Sequence, residues 1–454
     1  MTRVSQNLSE TLRTAVETGD WEQLRPRFAD DAVLDTSSEM GRSQVNGADA
    51  IVAHLSVPGP GEIHHWHAQE WAAGVALSFE WAGADDRDRR RWYVRTNADG
   101  DMTEIWSTAA RPTGGAARAV SPPPSLLEEL GTTRLEPLSH EGNSGAALVR
   151  AFCDDGTAFV LKRVSAAGAD WLARATRDQG RTAQLYLAGA FDRMPAAISH
   201  GIVAVEHSDA AAWIAMRDVQ ALLLPPSARL SRDESRQILA AAAELHRAFR
   251  DDVPPGPATL GDRIGMSSPG VADAERPYPD LLPKQFEQGW DAFGELVPAD
   301  VSDVVLDLTN HPGALADALL RAHGGPTLIH GDLRGDNLGF DGDRLVLIDW
   351  DLAATGTPTV EFSWYLAHSA RRIDAGHDEI EADHRSAQGE ELNDAEVELG
   401  MLSGLVQYGW RIAHSARVHP DPAETDWGRR ELDWWVPRLR TALDRLGGAP
   451  VATS

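Results

Sequence analysis

The spacing of hydrophobic residues in the first 110 positions predicts helices that precede a group of short strands. Leu12 and Val16 lie four positions apart and predict the buried face of an amphipathic helix. A second short helix is expected to begin near Asp20, and a third to cover residues 46–55. Strand-like composition recurs at 63–71, 75–81, 91–95 and 102–106, between turns rich in Gly and Asp. Helices followed by a curled antiparallel sheet indicate an α+β cone.

After residue 124 the pattern predicts strands first and mostly helices later. Strand-like stretches lie at 138–152 (interrupted by a turn of small residues), 157–164, 212–219, 327–329 and 344–348. Residues 231–249 predict a helix whose buried face carries Ile238, Leu239, Ala242 and Leu245. Further helices are expected at 170–189, 278–296 and 397–446.

Residues 112–124 are rich in Gly, Ala and Pro and end in three consecutive prolines. Such a segment has little to bury, and its proline end is extended and semi-rigid. We therefore expect a linker between an N-terminal domain, residues 1–111, and a larger C-terminal block that begins at residue 125.

Length, charge and cysteine content limit the number of domains and the kinds of partner and metal site that the chain can have. The 454 residues predict two or three domains at about 150 residues each. The 69 acidic residues outnumber the 42 basic residues, and the formal net charge is −27. Because nucleic-acid binding relies on Lys and Arg at phosphates, this balance argues against a nucleic-acid partner and favours attraction of cationic small molecules. The single cysteine, Cys153, excludes an internal disulfide and a Cys-rich zinc site.

The sequence also gives an expectation for localisation. It contains no apolar run long enough for a membrane span, and its polar first residues lack the apolar stretch of a signal peptide. The simplest expectation is a cytoplasmic protein without a membrane partner.

The strongest chemical signal is the tripeptide His-Gly-Asp at residues 330–332, with Asn337 five positions after Asp332. A turn at 341–343 then leads into a second apolar strand that ends at Asp349. A hairpin of this length brings the carboxylates of Asp332 and Asp349 and the amide of Asn337 to the same edge of the strand pair.

Phosphoryl transfer uses this set of groups. One carboxylate orients the attacking hydroxyl or accepts its proton, while an amide oxygen and a second carboxylate hold Mg²⁺ against nucleotide phosphates. Hydrolytic alternatives fit less well, because neither a Gly-x-Ser-x-Gly elbow nor a His-Glu-x-x-His helix accompanies these residues. The pattern therefore favours a phosphotransferase.

The run His-Gly-Asp-x-x-x-x-Asn followed by Ile-Asp-Trp resembles the aminoglycoside phosphotransferase and choline kinase-like branch of the protein-kinase-like fold. The resemblance covers residues 126–446. It implies a β-rich N-lobe at 125–220 and a mostly helical C-lobe at 221–454, with ATP (or GTP) and Mg²⁺ as cofactors.

By motif match, the resemblance makes Asp332 the catalytic base and makes Asn337 and Asp349 the Mg²⁺ ligands. Two further acids, Asp336 and Asp351, have no firm counterpart in the family. Each is either an exposed residue or an acid that faces the site.

A hairpin and a lysine upstream fit the same family. The small residues of the predicted hairpin turn let backbone N–H groups approach phosphates, and they are Gly142, Asn143, Ser144 and Gly145. Lys162, one of only two lysines in the chain, lies on the following strand. The resemblance implies that the loop and Lys162 bind nucleotide phosphates, and that the main chain from Met216 to Asp218 binds adenine.

Two departures from the family pattern bear on activity. The helix at 170–189 should supply a Glu that pairs with Lys162, but it contains no Glu, and Asp178 is the candidate substitute. Thr357 and Glu361 replace the two Asp residues of the family's Gly-Asp-Pro-x-x-Asp segment, which supports the catalytic loop. An alternative function is therefore a catalytically weak kinase-like protein that binds nucleotide or another ligand.

The family binds its acceptor between the catalytic loop and C-terminal helices, here 278–296 and 397–446. These helices contain Trp290, Trp410, Trp427, Trp434 and Trp435. The faces of these indole rings suit a cation or a sugar ring, although packing in the core explains most of these tryptophans equally well. The resemblance implies transfer to a hydroxyl of an aminoglycoside-like antibiotic, an amino sugar, an amino alcohol or another metabolite, with antibiotic resistance as one biological outcome.

The pattern Asp-Trp-x-x-Leu-x-x-x-Phe at residues 20–28, with Val-Asn-Gly at 45–47, resembles the NTF2-like (SnoaL-like) fold over residues 5–110. Members of that fold use the cone interior for a ligand, for acid–base chemistry or for dimerisation. We therefore expect a domain that binds substrate, shapes the acceptor pocket or forms a homodimer. A third interpretation places isomerase or cyclase chemistry in this domain.

The polar candidates inside the cone are Asp35, His65, His67 and Glu104, although a structural role explains the histidines equally well. His64, His65 and His67 lie on one predicted strand, where neighbouring side chains alternate between faces. Since they cannot all face one ion, no metal site is expected there.

Overall fold

The computed structural model describes residues 3–38, 41–56, 63–71, 74–81, 89–109, 122–138, 147–165, 171–208, 211–225, 228–278, 281–389, 392–419 and 422–447. They belong to two compact units. The first comprises Met1–Ala119, Ala272–Ala292 and Arg411–Glu431, and the second comprises Val120–Val271, Phe293–Trp410 and Leu432–Ser454. Most of the predicted linker at 112–124 lies outside the described residues.

The N-terminal part of the first unit contains helix α1 (Arg3–Thr18), a 3₁₀ helix at Glu22–Arg27 and helix α2 (Ala48–Leu55). Its strands are β1 (Phe28–Ser38), β2 (Gly41–Asn46), β3 (Ile63–Trp71), β4 (Gly74–Trp81), β5 (Arg89–Thr96) and β6 (Met102–Ala109). They form one sheet in the order β2-β1-β6-β5-β4-β3, in which β1 and β6 are parallel and the other neighbours antiparallel. The hydrophobic pattern does not predict β2, because its sequence GRSQVN offers a single large apolar residue.

The described core of this sheet is mostly apolar. Helix α1 buries Leu8, Leu12, Ala15 and Val16, at the spacing of one helix face. On β4, the alternating residues Val75, Leu77 and Phe79 are buried. The rings of Trp21 and Trp92 lie 5.6 Å apart, and Phe79 contacts Trp92 edge to face.

Of the four polar candidates in this unit, only Glu104 has a described side chain. It is partly buried, and its carboxylate lies 3.5 Å from the Arg95 guanidinium. Arg95 also donates to the main-chain oxygen of Val418, within the same unit. The side chains of Asp35, His65 and His67 lie outside the described part of the chain, so their roles and the NTF2-like assignment stay predictions.

The second unit begins with helix α3 (Pro124–Glu129) and a five-stranded antiparallel sheet. The strands are β7 (Thr132–Leu138), β8 (Ala147–Cys153), β9 (Ala158–Ser165), β11 (Ile202–His207) and β12 (Ala211–Arg217). Their order is β11-β12-β9-β8-β7, which places β9 at the centre. The expected β-rich N-lobe is therefore confirmed.

The chain between β9 and β11 differs from its prediction. The structure has two short helices, α4 (Trp171–Thr176) and α5 (Arg181–Leu187), where one helix was expected. The break coincides with positive φ angles at Arg177 (54°) and Gly180 (87°). A Cβ at Gly180 would collide with the Ala212 side chain, so both the turn and the close packing require glycine there.

The remaining described chain is mostly helical, as expected for the C-terminal region. Its helices are α6 (Arg232–Ala248), α7 (Leu260–Ile264), α8 (Pro269–Ala274), α9 (Leu281–Leu296), α10 (Ala299–Asn310), α11 (Gly313–His323), α12 (Pro358–Ser369), α13 (His377–Gln388), α14 (Asp394–Arg417) and α15 (Pro422–Gly447). Within this described part, no helix combines the length and apolar character that crossing a bilayer requires.

Helix α6 shows why the predicted boundaries hold. Ser231 Oγ accepts from the Glu234 N–H at 3.2 Å, and the Glu234 carboxylate accepts from the Ser231 N–H at 2.7 Å. This reciprocal capping box satisfies two N–H groups that the first helical turn leaves unpaired. The predicted apolar face is buried as expected.

Short strands between the helices carry the site. They are β10 (Ile198–Ser199), β13 (Thr327–Ile329), β14 (Leu338–Asp341), β15 (Arg344–Leu347) and β16 (Ala354–Gly356). Strands β14 and β15 form a hairpin beside β10, while β13 pairs with β16.

Candidate active site

The hairpin register brings the three motif residues together. Strand β13 leads into Asp332, and a 3₁₀ turn then places Asn337 directly before β14. The Ile348 N–H donates to the Asn337 carbonyl at 3.1 Å, so Asp349 leaves β15 beside Asn337. Asn337 Nδ2 donates to the Asp332 main-chain oxygen at 3.0 Å and to its carboxylate at 2.9 Å.

The Asp332 carboxylate is buried and receives several hydrogen bonds. Besides Asn337, the Trp364 indole N–H donates to it at 3.0 Å, and Arg334 Nε donates at 3.0 Å. Burial by itself raises the pKa of Asp332, but Arg334 and other nearby positive charge outweigh that effect and lower it to about 2. Asp332 is therefore an ionised acceptor held in one orientation.

His330 connects the loop that carries Asp332 to the end of β15. Its Nδ1 accepts from the Asp332 N–H at 3.2 Å, and its Nε2 lies 3.0 Å from the Ile348 carbonyl. These two partners define the tautomer with the proton on Nε2. Burial lowers the pKa of His330, so the ring is neutral at pH 7.

Glu361 holds the other side of the same loop. Its Oε1 accepts from the Gly331 N–H at 2.8 Å, and its Oε2 lies 2.7 Å from His246 Nε2. Gly331 has a φ of 80°, and a Cβ there would collide with the Leu352 carbonyl. The replacement of the family's Asp by Glu361 therefore leaves the loop supported.

Arg263 binds the carbonyl of the same glycine, a contact that the sequence does not signal. Its Nε donates to the Gly331 carbonyl at 2.8 Å and its Nη1 to Gln407 Oε1 at 2.8 Å. The guanidinium lies 4.2 Å from the centre of the Trp364 ring. Burial lowers the pKa of Arg263 to about 10, which still leaves it charged at pH 7.

Lys162 lies on the central strand β9 and is buried. Its Nζ is 2.8 Å from Asp349 Oδ1 and 2.7 Å from Asp351 Oδ2. Burial by itself lowers the pKa of Lys162, but the two carboxylates outweigh that effect and raise it above its ordinary value. The lysine therefore carries a full positive charge opposite the hairpin.

The structure corrects the expected Lys162–Asp178 pair. Asp178 Oδ1 instead accepts from the backbone N–H groups of Gly180 at 2.9 Å and Arg181 at 2.7 Å, at the start of α5. The break between α4 and α5 turns Asp178 into a helix-capping residue, and the partners of Lys162 are Asp349 and Asp351.

A model of the APH phosphotransferase enzyme family matches residues 141–394, more than half of the chain. The chain belongs to this family. It is a small-molecule kinase, a phosphotransferase, as its sequence predicts. No curated protein matches the chain.

Several solved structures resemble this phosphotransferase at low identity. An aminoglycoside phosphotransferase from Alicyclobacillus acidocaldarius is 16% identical, over 73% of this chain and 98% of its own, with a TM-score of 0.38. One from Streptomyces rimosus is 18% identical, over 62% and 96%, with a TM-score of 0.40. The choline kinase of Streptococcus pneumoniae is 12% identical, over 72% and 97%, with a TM-score of 0.39.

The other nucleotide-binding candidates of this phosphotransferase stay predictions. Residues 142–145 lie outside the described part of the chain. Met216 is partly buried near the end of β12. The Asp218 N–H donates to the Ala158 carbonyl at 3.1 Å, and its carboxylate pairs with Arg150 Nε at 2.8 Å.

The tryptophans of the predicted acceptor helices mostly serve the core. Trp290, Trp410, Trp427 and Trp435 are buried, and Trp434 is partly exposed. The Trp434 ring stacks on His377 at 4.5 Å and lies under the Arg438 guanidinium. Core packing therefore explains these residues better than an aromatic binding surface.

A different aromatic group lies beside Asp332, and the sequence does not signal it. His368 is in ring contact with Trp364 at 4.1 Å and with Tyr408 at 3.9 Å. Burial lowers the pKa of His368 to about 3, so its ring is neutral at pH 7. The carboxylate of Asp332 is thus bordered by aromatic rings on the side of α12.

We expect Glu361→Ala to lower the free energy of unfolding by about 2–4 kcal/mol, because it leaves the Gly331 N–H and His246 without their buried acceptor. Urea unfolding measures the change. Glu244→Ala, at an exposed position of α6, is the matched control and should shift it by less than about 0.5 kcal/mol. Equal effects of the two substitutions would show that Glu361 does not anchor the loop.

Asp178→Asn tests the capping role through pH. Burial raises the pKa of Asp178 from 3.8 to about 6, so the ionised form is disfavoured in the folded state. The wild-type chain therefore loses stability as pH rises from about 4 to 6, whereas an amide oxygen still accepts both N–H groups without charge.

Urea unfolding at several pH values should show Asp178→Asn gaining on the wild type between about pH 4 and 6 and keeping a constant advantage above pH 7. Asp343→Asn, in the exposed β14–β15 turn, gives the comparison for a surface carboxylate. A difference that does not change with pH would contradict the role assigned to Asp178.

Proposed function

We propose that the protein transfers the γ-phosphoryl group of ATP (or GTP) to a hydroxyl group of a small molecule, with Mg²⁺ as cofactor. One observation carries the proposal. Asp332, Asn337 and Asp349 meet at one end of the β14–β15 hairpin, and the buried ammonium of Lys162 lies against Asp349. This arrangement supplies an ionised acceptor, oxygen ligands and a phosphate-binding cation.

Asp332 orients the acceptor hydroxyl and takes its proton as the new O–P bond forms. Its low pKa makes it a weak base, so its main contribution is a fixed negative acceptor that selects one hydroxyl orientation. The hydrogen bonds from Asn337 and Trp364 fix the carboxylate plane. Arg334, 3.0 Å from the same carboxylate, adds positive charge where the transferred group becomes more negative.

The donor set at the hairpin fits Mg²⁺ bound together with a nucleotide. Among the described residues, no three His, Cys, Asp or Glu side chains lie close enough to hold a metal by themselves. Mg²⁺ usually takes one or two protein oxygens and completes its shell with water and substrate phosphates. Asn337 uses Nδ2 for Asp332, so its Oδ1 and the Asp349 carboxylate are the protein oxygens for the ion.

When bound, the ion would neutralise charge on the nucleotide phosphates. Asp349 has a φ of 66°, a left-handed conformation that is uncommon for residues with a side chain and occurs at functional sites. Its side chain is 36% exposed, against 9% for Lys162, and so it faces the open side of the site. The exposure supports Asp349 as a more accessible ligand than Asn337, which is buried.

The structure bears on one of the two alternative functions. The weak-kinase interpretation arose from the missing helix Glu, but Lys162 has two carboxylate partners. The isomerase or cyclase interpretation rests on Asp35, His65 and His67, whose side chains lie outside the described part of the chain, and it stays an alternative. The paired lysine favours chemistry at the hairpin.

We assign the finer features to the same proposal. Residues 1–111 form an NTF2-like domain that binds substrate, shapes the acceptor pocket or dimerises, and 112–124 is its linker to lobes at 125–220 and 221–454. The acceptor is an aminoglycoside-like antibiotic, an amino sugar, an amino alcohol or another metabolite. The excess of acidic residues supports a cationic acceptor.

The test compares Asp332→Asn with Asp343→Asn in transfer assays with amino sugars and amino alcohols as acceptors. Loss of the acceptor carboxylate should lower kcat by about 10²- to 10⁴-fold, because the hydroxyl loses its proton acceptor. Calorimetry should give both variants the Mg²⁺–ATP affinity of the wild type within about threefold, since neither change removes a proposed ligand. Wild-type turnover by Asp332→Asn would overturn the proposal.

A further inference from the structure

Building on the proposed function, we infer that Asp351, held by the Thr182 hydroxyl, positions Lys162 for the nucleotide phosphates and replaces the helix glutamate that this chain lacks.

Helices α4 and α5, which lie between β9 and β11 in the chain, carry no carboxylate. Residues 170–189 contain no Glu, and Asp178 caps α5 through the N–H groups of Gly180 and Arg181. Helix α5 instead offers a hydroxyl, since Thr182 Oγ1 donates to Asp351 Oδ1 at 2.7 Å. The helix therefore reaches the lysine through a second residue.

Both carboxylate oxygens of Asp351 have a partner. One carboxylate oxygen binds Lys162 Nζ at 2.7 Å, and the other accepts from Thr182. Arg181 donates to the Asp351 main-chain oxygen, which fixes the backbone as well. A carboxylate with both oxygens engaged and its backbone anchored holds its partner in one place.

The two aspartates that pair with Lys162 differ in exposure. The side chain of Asp351 is 9% exposed and that of Asp349 is 36% exposed. Asp349 can therefore turn toward a cation in the open site while Asp351 keeps the lysine paired. Without Asp351, such a turn would leave a buried ammonium unpaired, which costs several kcal/mol.

Binding of ATP measured with Mg²⁺ and again with EDTA distinguishes the two roles without relying on turnover. Asp351→Asn should weaken ATP binding at least about tenfold in both conditions, because the lysine is misplaced whether or not a metal is present. Asp349→Asn should weaken it only with Mg²⁺. Asp178→Asn, the matched control for loss of a buried carboxylate beside α5, should leave both affinities unreduced.

A second pair of variants covers the case in which Asp351→Asn folds poorly. Thr182→Val keeps the carboxylate and removes its anchor, so ATP binding should weaken about threefold in both conditions. Asp351→Glu should recover part of the affinity that Asp351→Asn loses. In a Lys162→Met background, Asp351→Asn should have no further effect on ATP binding, since a positioning residue acts only through its partner.

The outcomes are distinguishable. A wild-type chain that binds neither ATP nor GTP overturns the proposed function and this inference with it. Wild-type binding together with unchanged affinity in Asp351→Asn and Thr182→Val overturns this inference alone. An effect of Asp351→Asn that disappears in EDTA makes Asp351 a metal ligand and also overturns it.

Discussion

The buried ammonium of Lys162 is the constraint on which the site depends. An unpaired charge at the centre of a sheet would be prohibitively costly, so β9 can carry this lysine only where carboxylates meet it. Both carboxylates come from the segment after β15, which is distant in sequence. The ion pairs therefore tie the central strand of the N-lobe sheet to the hairpin that bears the motif residues. The same contacts place the ammonium of Lys162 beside the carboxylates that follow β15.

Buried charges of opposite sign hold the loop that carries Asp332, and both contact Gly331. Glu361 accepts from the Gly331 N–H, and Arg263 donates to the Gly331 carbonyl. Because Gly331 adopts a positive φ and leaves no room for a Cβ, these contacts fix the conformation from which Asp332 projects. The position of Asp332 therefore depends on the side chains of Glu361 and Arg263 as well as on strand β13. A buried charge whose hydrogen bonds are satisfied gives this rigidity without leaving a polar group unpaired.

The sequence predicts what is local and misses what is long-range. Asp332, Asn337 and Asp349 flank one hairpin, whose register follows from its own strands and turn, so their proximity is predictable. The contacts of Arg263 with the loop and of Asp351 with Lys162 join distant segments, and no spacing rule encodes them. Asp178 was assigned wrongly because periodicity predicts one continuous helix, whereas positive φ angles divide it. The α+β order of the elements, in contrast, follows from local pattern alone.

The two departures from the family pattern share one physical explanation. The site needs a carboxylate beside the Lys162 ammonium and another beside the Gly331 N–H. Different positions along a chain can supply a carboxylate to the same point in space. Glu361 reaches the Gly331 N–H with a longer side chain than the family's Asp. Asp351 reaches Lys162 from the exit of the hairpin and accepts a hydrogen bond from Thr182 of α5. A missing motif residue is therefore weak grounds for inferring an inactive kinase until the partners of the lysine are known. The decisive observation is which carboxylate meets the ammonium, because its burial demands one.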